Sequence, residues 1–358
     1  MREKLRVGVI GAGGIGREHI SCYRDYEKAD LICVADKNPL RLEGVRKVFG
    51  VKRLYTSYEE MLEKEELDAV SICTPNYLHK AQVIRSLEHG CNVLVEKPMT
   101  ISTKDADEIV KKVEETGKIL MVGMHWRFTS AFSYLKSLIK EGKLGEIYFA
   151  EGYWLRRRGV PGLGGWFTTK QMSGGGPLLD IGVHVLDALL WFLDFPKVER
   201  VNGFAFQKFG FRAGKGEWPP QPDWEKKLGV KDEKTGIFDV EDFGGGIIYL
   251  EGEKVVIFKA SWALNYEHHE GIRIFLAGDK AGAVFPPLKI YSEEKGVPQD
   301  IEPKIREDVN PYMEEIKEFL SCILEGRKPE ADERRGRELV RIIESIYKSW
   351  EEKKEVKL

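Results

Sequence analysis

Hydrophobic positions along the chain follow two rhythms, and the rhythm changes near residue 123. Short β-branched runs occupy 5–11, 31–36, 67–75, 92–98 and 118–123, with a brief extra one at 53–56. Between them, apolar residues recur at helical spacing over 15–26, 39–50, 58–66, 78–90 and 103–117. Strand–helix alternation of this kind predicts a parallel sheet with helices on both faces. After Gly123 one helical stretch, Ser133 to Gly142, leads into strand-like runs at 146–158, 198–209, 242–252, 253–264 and 271–278. Consecutive strands with turn glycines between them predict a largely antiparallel sheet. Two amphipathic stretches, 311–326 and 333–352, end the chain as helices. The domains are therefore placed at 1–123 and 124–358, with the terminal helices free to pack back on the first domain.

The first strand–helix turn reads Gly11-Ala12-Gly13-Gly14-Ile15-Gly16. In a GxGxxG turn the first glycine permits a tight bend, the second lets backbone approach a pyrophosphate, and the third allows close helix packing. The helix that follows presents free N–H groups and the positive end of its dipole to phosphate. Asp36 ends the second strand twenty residues after Gly16, where a carboxylate accepts from an adenosine ribose. It would repel a 2′-phosphate, so NAD is the expected cofactor; Lys37 beside it keeps NADP open. Two further strand ends face the same edge, where ligands of open α/β sheets bind: Thr74-Pro75-Asn76 and Glu96-Lys97-Pro98. Pro98 biases Lys97 to an extended conformation, which aims its side chain.

Composition narrows the function class more than it names one. A formal charge of −2 gives no general attraction to nucleic acid or to an anionic membrane. No run approaches the length of a membrane span, and the N-terminal apolar run passes straight into the glycine turn rather than into a cleavage site. Cys22, Cys33, Cys73, Cys91 and Cys322 are scattered, which suggests neither disulfides nor a thiolate metal site and fits a reducing cytoplasm. Charged residues make up 32% of the chain, a lean towards a heat-adapted source.

The segment Gly174 to Asp187, GGGPLLDIGVHVLD, sets Asp180, His184 and Asp187 into an otherwise apolar helical pattern. Together with VGVIGAGGIG, TPNYLH and VEKPM in this order, it resembles the glucose–fructose oxidoreductase/inositol dehydrogenase (GFO/IDH/MocA) family over nearly the whole chain. The resemblance implies a Rossmann domain followed by an open-faced antiparallel sheet that supports substrate and often an oligomer interface, here a homodimer or homotetramer. It also implies that Lys97, Asp180 and His184 form the catalytic trio. One departure is the Trp-, Pro- and charge-rich stretch 209–236, which looks like an enlarged loop between sheet strands.

Residue chemistry fits that implication. A helix starting after Pro177 presents Asp180 and His184 on one face at i, i+4. His184 suits proton transfer near neutrality, Lys97 can stabilise a developing alkoxide, and Asp180 can hold a substrate hydroxyl, the imidazole or the ammonium. Other readings stay open here: a satisfied core histidine, a metal held by the Asp180/His184/Asp187 row, and an internal hydrogen bond for Asp187. No metal is expected. The cofactor set is Gly11, Gly13, Gly14, Ile15, Gly16, Asp36, Lys37, Thr74, Pro75, Asn76, His79, Glu96, Lys97 and Arg127. The substrate set is Lys97, Trp126, Arg157, Trp166, Asp180 and His184, although the 156–158 arginine run and the tryptophans have equally ordinary structural readings. The expected function is an NAD(P)-dependent oxidoreductase acting on a hydroxyl or carbonyl of a sugar or polyol. The alternatives are a dehydrogenase-like protein that keeps its cofactor bound and a non-catalytic NAD-binding sensor.

Overall fold

A computed structural model describes residues 4–216, 222–267, 271–306 and 309–358. The first domain is a six-stranded parallel sheet of β1 (Leu5–Ile10), β2 (Ala29–Ala35), β3 (Arg53–Tyr55), β4 (Ala69–Ile72), β5 (Asn92–Glu96) and β6 (Leu120–Gly123), in the order β3-β2-β1-β4-β5-β6. Helices α1 (Gly14–Asp25), α2 (Pro39–Phe49), α3 (Tyr58–Lys64), α4 (Asn76–Glu88) and α5 (Thr103–Thr116) connect them. Val7, Val9, Val70, Ile72, Val93 and Val95 are fully buried, as strands covered on both faces require. Side-chain caps start the helices where the sequence offers them: Asn38 for α2, Ser57 for α3 and Ser102 for α5. The strand order reverses between β1 and β4, and that switch point fixes where a ligand crevice opens.

The second domain is built on a nine-stranded sheet. Its strands are β7 (Ile147–Leu155), β9 (Val198–Phe206), β11 (Phe243–Leu250), β12 (Lys254–Ser261), β13 (Arg273–Gly278), β14 (Ala281–Phe285), β15 (Lys289–Glu294), β16 (Val297–Ile301) and β17 (Val356–Lys357). The order is β16-β15-β14-β13-β7-β12-β11-β9-β17; the β7/β12 pair is parallel and the others antiparallel. A small parallel pair, β8 (Val160–Pro161) with β10 (Lys215–Gly216), lies apart. Helices α6 (Ser130–Lys140), α7 (Lys170–Ser173), α8 (Val183–Phe192) and α9 (Asp223–Leu228) belong to this half. One face of the sheet is buried: Ala150 and Trp154 on β7, Phe258 and Ala260 on β12, and Leu276 on β13 point the same way. Gly152 lets α8 settle on β7, since a Cβ there would meet Val185 at 2.9 Å and Leu189 at 3.1 Å.

The run Lys170–Phe192 bears on the absence of a membrane span. It is long and apolar enough to cross a membrane by composition, yet 94% of its most apolar window is buried inside the protein. Its second part, α8, is the buried core helix on which the sheet packs, so its apolarity is already used.

The terminal helices α10 (Pro311–Glu325) and α11 (Glu333–Glu352) return to the first domain. Arg334 and Arg337 of α11 pair with Glu114 and Asp107 of α5. On its other side α11 meets β9, where a Cβ on Gly203 would meet the Ile346 carbonyl at 2.5 Å. The chain just before α11 also joins β6, whose Val122 N–H donates to the Ala331 carbonyl.

Candidate active site

The glycine turn has the shape a dinucleotide needs. Gly11 sits at φ +96°, and a Cβ there would meet the Cys73 carbonyl at 2.6 Å. A Cβ on Gly16 would come within 1.9 Å of the Gly11 carbonyl. Gly13 is the opposite case: a Cβ would meet nothing within 4 Å, so its backbone faces open space. That is the position through which a pyrophosphate approaches, and α1 begins at the next residue, Gly14, followed by Ile15. Asp36 is half-buried and its carboxylate is aimed at the turn, with Oδ2 accepting from Ala12 N at 2.7 Å and Oδ1 from Asn38 N at 2.8 Å. The residues present therefore fit NAD.

Along the same edge, β5 delivers Lys97. Its ammonium donates to the Asp180 carbonyl at 2.8 Å and to Asp180 Oδ1 at 3.1 Å. Asp180 Oδ2 accepts from the Trp262 indole at 2.9 Å. Lys97 and Asp180 are both largely but not fully enclosed, with side chains 18% and 12% exposed. Asp180 lies in a π-helical turn, Leu178–Gly182, that runs into α8. The continuous α-helix expected over this segment is therefore widened by one residue per turn at Asp180, and its carboxylate serves Lys97 and Trp262. Glu241 holds the start of that turn, accepting from Gly176 N at 2.9 Å, Leu178 N at 3.1 Å and the Tyr347 hydroxyl at 2.8 Å. Two of the three glycines exist for this approach: a Cβ on Gly175 or Gly176 would lie 2.1 Å from the Tyr347 hydroxyl or the Glu241 carbonyl.

His184 is buried, and its Nδ1 has no hydrogen-bond partner among the described residues. Burial, then the charges of Lys97 and His125, push its basicity well below the ordinary imidazole value, so the ring is neutral. His125 packs edge-on against it at 5.0 Å and stacks on Tyr312 at 4.4 Å. Burial lowers His125 as well, to about 4, against the pull of Glu96. Trp154 lies 6.4 Å from His184, and Trp126 meets Trp154 edge-on at 5.7 Å. Both indole N–H groups are buried without a partner among the described residues. Three orphaned polar atoms thus line one wall, and buried polar groups are seldom left so unless a ligand or water completes them.

Behind Lys97 the groups are structural. Glu96 accepts from the His19 ring at 3.1 Å, and its other oxygen accepts from Lys97 N. Burial alone would raise Glu96; the hydrogen bond and charge of His19 and the charge of Lys97 hold it below the usual range. Glu315 nearby is pushed well above its ordinary value, by burial and then by Glu96, so it keeps its proton. His79 is fully enclosed, with Nδ1 2.9 Å from the Pro98 carbonyl and Nε2 2.8 Å from the Thr74 carbonyl. It ties two strand ends together instead of facing a cofactor. Burial lowers its basicity, against two carbonyls that favour a doubly protonated ring.

Several expected residues are placed differently. Arg127 does not face the cofactor edge as an open cation; it forms a buried two-point pair with Asp187, Nε–Oδ2 at 2.8 Å and Nη2–Oδ1 at 2.5 Å. Glu96, as above, is taken up by His19. Thr74 donates to Gln82, Pro75 caps α4, and Asn76 spans the two domains to the Ser173 carbonyl at 3.0 Å. Lys37 pairs with Glu233 at 3.0 Å. Arg157 is exposed; its neighbour Arg156 is the buried one, lying over the Trp154 ring at 5.3 Å. Trp166 stacks on Phe167 at 3.7 Å. Trp262, His125 and Tyr312 were not anticipated. A histidine two residues beyond the end of β6, on the ligand-bearing edge, was a readable signal for His125; the other two are brought in only by long-range folding.

A dinucleotide cradle and a lysine–carboxylate pair on one sheet edge, with a neutral imidazole close by, define a nicotinamide-dependent oxidoreductase. Residues 5–124 match the model for the oxidoreductase family with NAD-binding Rossmann fold, and residues 132–284 match the GFO/IDH/MocA C-terminal domain. The chain belongs to the GFO/IDH/MocA oxidoreductase family. It is 33% identical to the D-glucoside 3-dehydrogenase of Escherichia coli over 97% of this chain and 95% of that one. It is 24% identical to the myo-inositol 2-dehydrogenase of Thermotoga maritima over 99% and 98%. Among solved structures, levoglucosan dehydrogenase in complex with NADH and L-sorbose shares the fold with a TM-score of 0.85, at 20% identity and 99% coverage of each chain.

Proposed function

We propose that this protein oxidises a secondary hydroxyl of a sugar or polyol with NAD, and that a hexopyranoside is the first substrate to test. The observation that carries the reading is the wall of unpartnered buried polar atoms, His184 Nδ1, Trp126 Nε1 and Trp154 Nε1, beside the Lys97–Asp180 pair. A polyhydroxylated ligand brings both donors and acceptors to such a wall, and the indoles offer apolar faces to its C–H bonds. The 33% identical glucoside 3-dehydrogenase supports a glycoside.

In this reading Gly11, Gly13, Gly14, Ile15, Gly16 and Asp36 hold the cofactor, which supplies the hydride acceptor when bound. The carbon that loses hydride also loses its hydroxyl proton, and His184, neutral across the working range, accepts it. Lys97 donates to the developing alkoxide, and Asp180 keeps the ammonium aimed. Trp126, Trp154 and Arg156 shape the sugar side.

The open face of the sheet supports a homo-oligomer: Phe149, Val255, Ile257, Phe275, Val284 and Tyr291 are all half-buried or exposed on it. Five free buried cysteines support a reducing cytoplasm. Ion-pair clusters such as Lys80 with Asp105 and Glu108, or Arg327 with Glu318 and Glu325, support a heat-adapted source. The deciding experiment is a panel of glucosides, free sugars and inositols with NAD, followed by reduced-nicotinamide absorbance. Turnover of a glycoside supports the proposal; NAD binding with no turnover on any member overturns it.

A further inference from the structure

Residues 222–236 lie across the first domain near the end of β2. Trp224 of α9 packs on Gly44 of α2 so closely that a Cβ on Gly44 would lie 1.9 Å from its ring. Trp224 also lies under Arg17, 5.6 Å from the guanidinium. Glu225, buried, receives Arg17 at 2.6 Å and has Arg41 Nε 3.5 Å away. Arg41 pairs with Asp232 at 2.5 Å, and Lys37 with Glu233 at 3.0 Å. These cations flank Asp36. Arg17 lies in the first turn of α1, Lys37 follows Asp36, and Arg41 lies in the first turn of α2. Burial works against the charge of Arg41, and Asp36 is foremost among the carboxylates that sustain it.

A 2′-phosphate on the adenosine ribose is recognised by cations clustered at the end of β2. Here three such cations are present, but each already holds a carboxylate, and with Asp36 three cations face four carboxylates. We propose that the 222–236 segment is a specificity strap that lays its own acidic side chains on the cations a 2′-phosphate would need, and so excludes NADP. The device acts in addition to Asp36. The strap comes from a part of the chain about 190 residues beyond β2, as the Arg41–Asp232 separation of 191 shows. Glu225, enclosed between two guanidiniums, carries most of it; the Lys37–Glu233 pair, with both side chains exposed, is screened by solvent and adds little.

Cofactor binding without any sugar, measured by calorimetry with NAD and NADP, tests the strap independently of the proposed substrate. Glu225→Gln keeps the shape and removes the charge; Trp224→Ala loosens the strap; Asp232→Lys changes an exposed position that folding does not depend on. Glu225→Gln should improve NADP binding relative to NAD by roughly tenfold, the weight of one charge-assisted hydrogen bond, and the other two by less. Combining Glu225→Gln with Asp36→Ser should exceed the product of the single effects, because the cations are then both freed and unopposed. A Kd ratio unchanged within about twofold in folded Glu225→Gln and in Asp232→Lys overturns the proposal.

Discussion

Trp262 and Asp180 are joined by one hydrogen bond, from the indole N–H to Oδ2 at 2.9 Å, and this leaves Oδ1 for Lys97. Trp262 is fully buried at the end of β12, so it fixes the carboxylate without touching the ammonium. Trp262→Phe should therefore reduce kcat by roughly tenfold, the weight of a hydrogen bond to a charged group, while NAD affinity stays unchanged. Steady-state kinetics and cofactor titration on the same sample check it; an unaltered kcat would show that Asp180 is held by Lys97 alone.

Lys97→Ala and His184→Ala separate chemistry from packing. Loss of a positioned acid–base group usually costs about 10²–10⁴-fold, so either variant should be folded, cofactor-loaded and slow by that order. If His184 served only the core, His184→Ala would lower the melting temperature and leave turnover per folded molecule intact. Both quantities should be measured together.

Stability should decline on the acid side. His125, lowered to about 4, and His184, lowered well below 6.5, are neutral in the folded protein, while unfolded histidines take a proton near 6.5. The unfolded chain then binds more protons, so their contribution is fully present above about pH 6.5 and is lost as pH falls below it. Thermal melts from pH 8 to pH 4.5 should show this slope, and His125→Gln should flatten it.

Arg127 and Asp187, each 3% exposed in its side chain, form a pair whose members are costly to separate. Asp187→Ala should destabilise by ~3–5 kcal/mol, because it leaves a guanidinium buried without its partner. Arg127→Met with Asp187→Leu should recover most of that loss in chemical denaturation. A cofactor role for Arg127 would instead appear as weakened NAD binding in a variant of normal stability.

Asp36→Ser should narrow the gap between NAD and NADP in binding titrations. With the strap intact the narrowing should stop short of reversal. Equal affinity for the two cofactors in the unaltered protein would show that Lys37 and its neighbours outweigh the carboxylate.

The first domain was legible because its central strands are apolar on both faces and three of its helices, α2, α3 and α5, carry side-chain caps, so local pattern and final burial coincide. The edge of the second sheet was not. β15 reads KIYSEE and β16 reads VPQDI, and these strands bury little, so their sequences show no contrast between inside and outside. In the site, Lys97, Asp180 and His184 stood out as polar groups set into apolar or strand-end positions. Arg127 misled because an arginine just past a strand end reads as an anion ligand, and its partner Asp187 is sixty residues away. The π-turn at Asp180 was hidden for the same reason: its geometry is imposed by Glu241 and Tyr347, neither of which is local.

That last contact has a consequence for how the protein comes into being. Tyr347 lies 171 residues beyond Gly176, so the Gly175–Gly176 backbone it abuts is translated much earlier. The nucleotide-binding half can close its sheet as it leaves the ribosome, since domains generally fold as units during synthesis. The turn that presents Asp180 to Lys97 must wait for α11 to be released. A nascent chain stalled short of that helix would carry a complete cradle for the dinucleotide and an unfinished seat for its substrate.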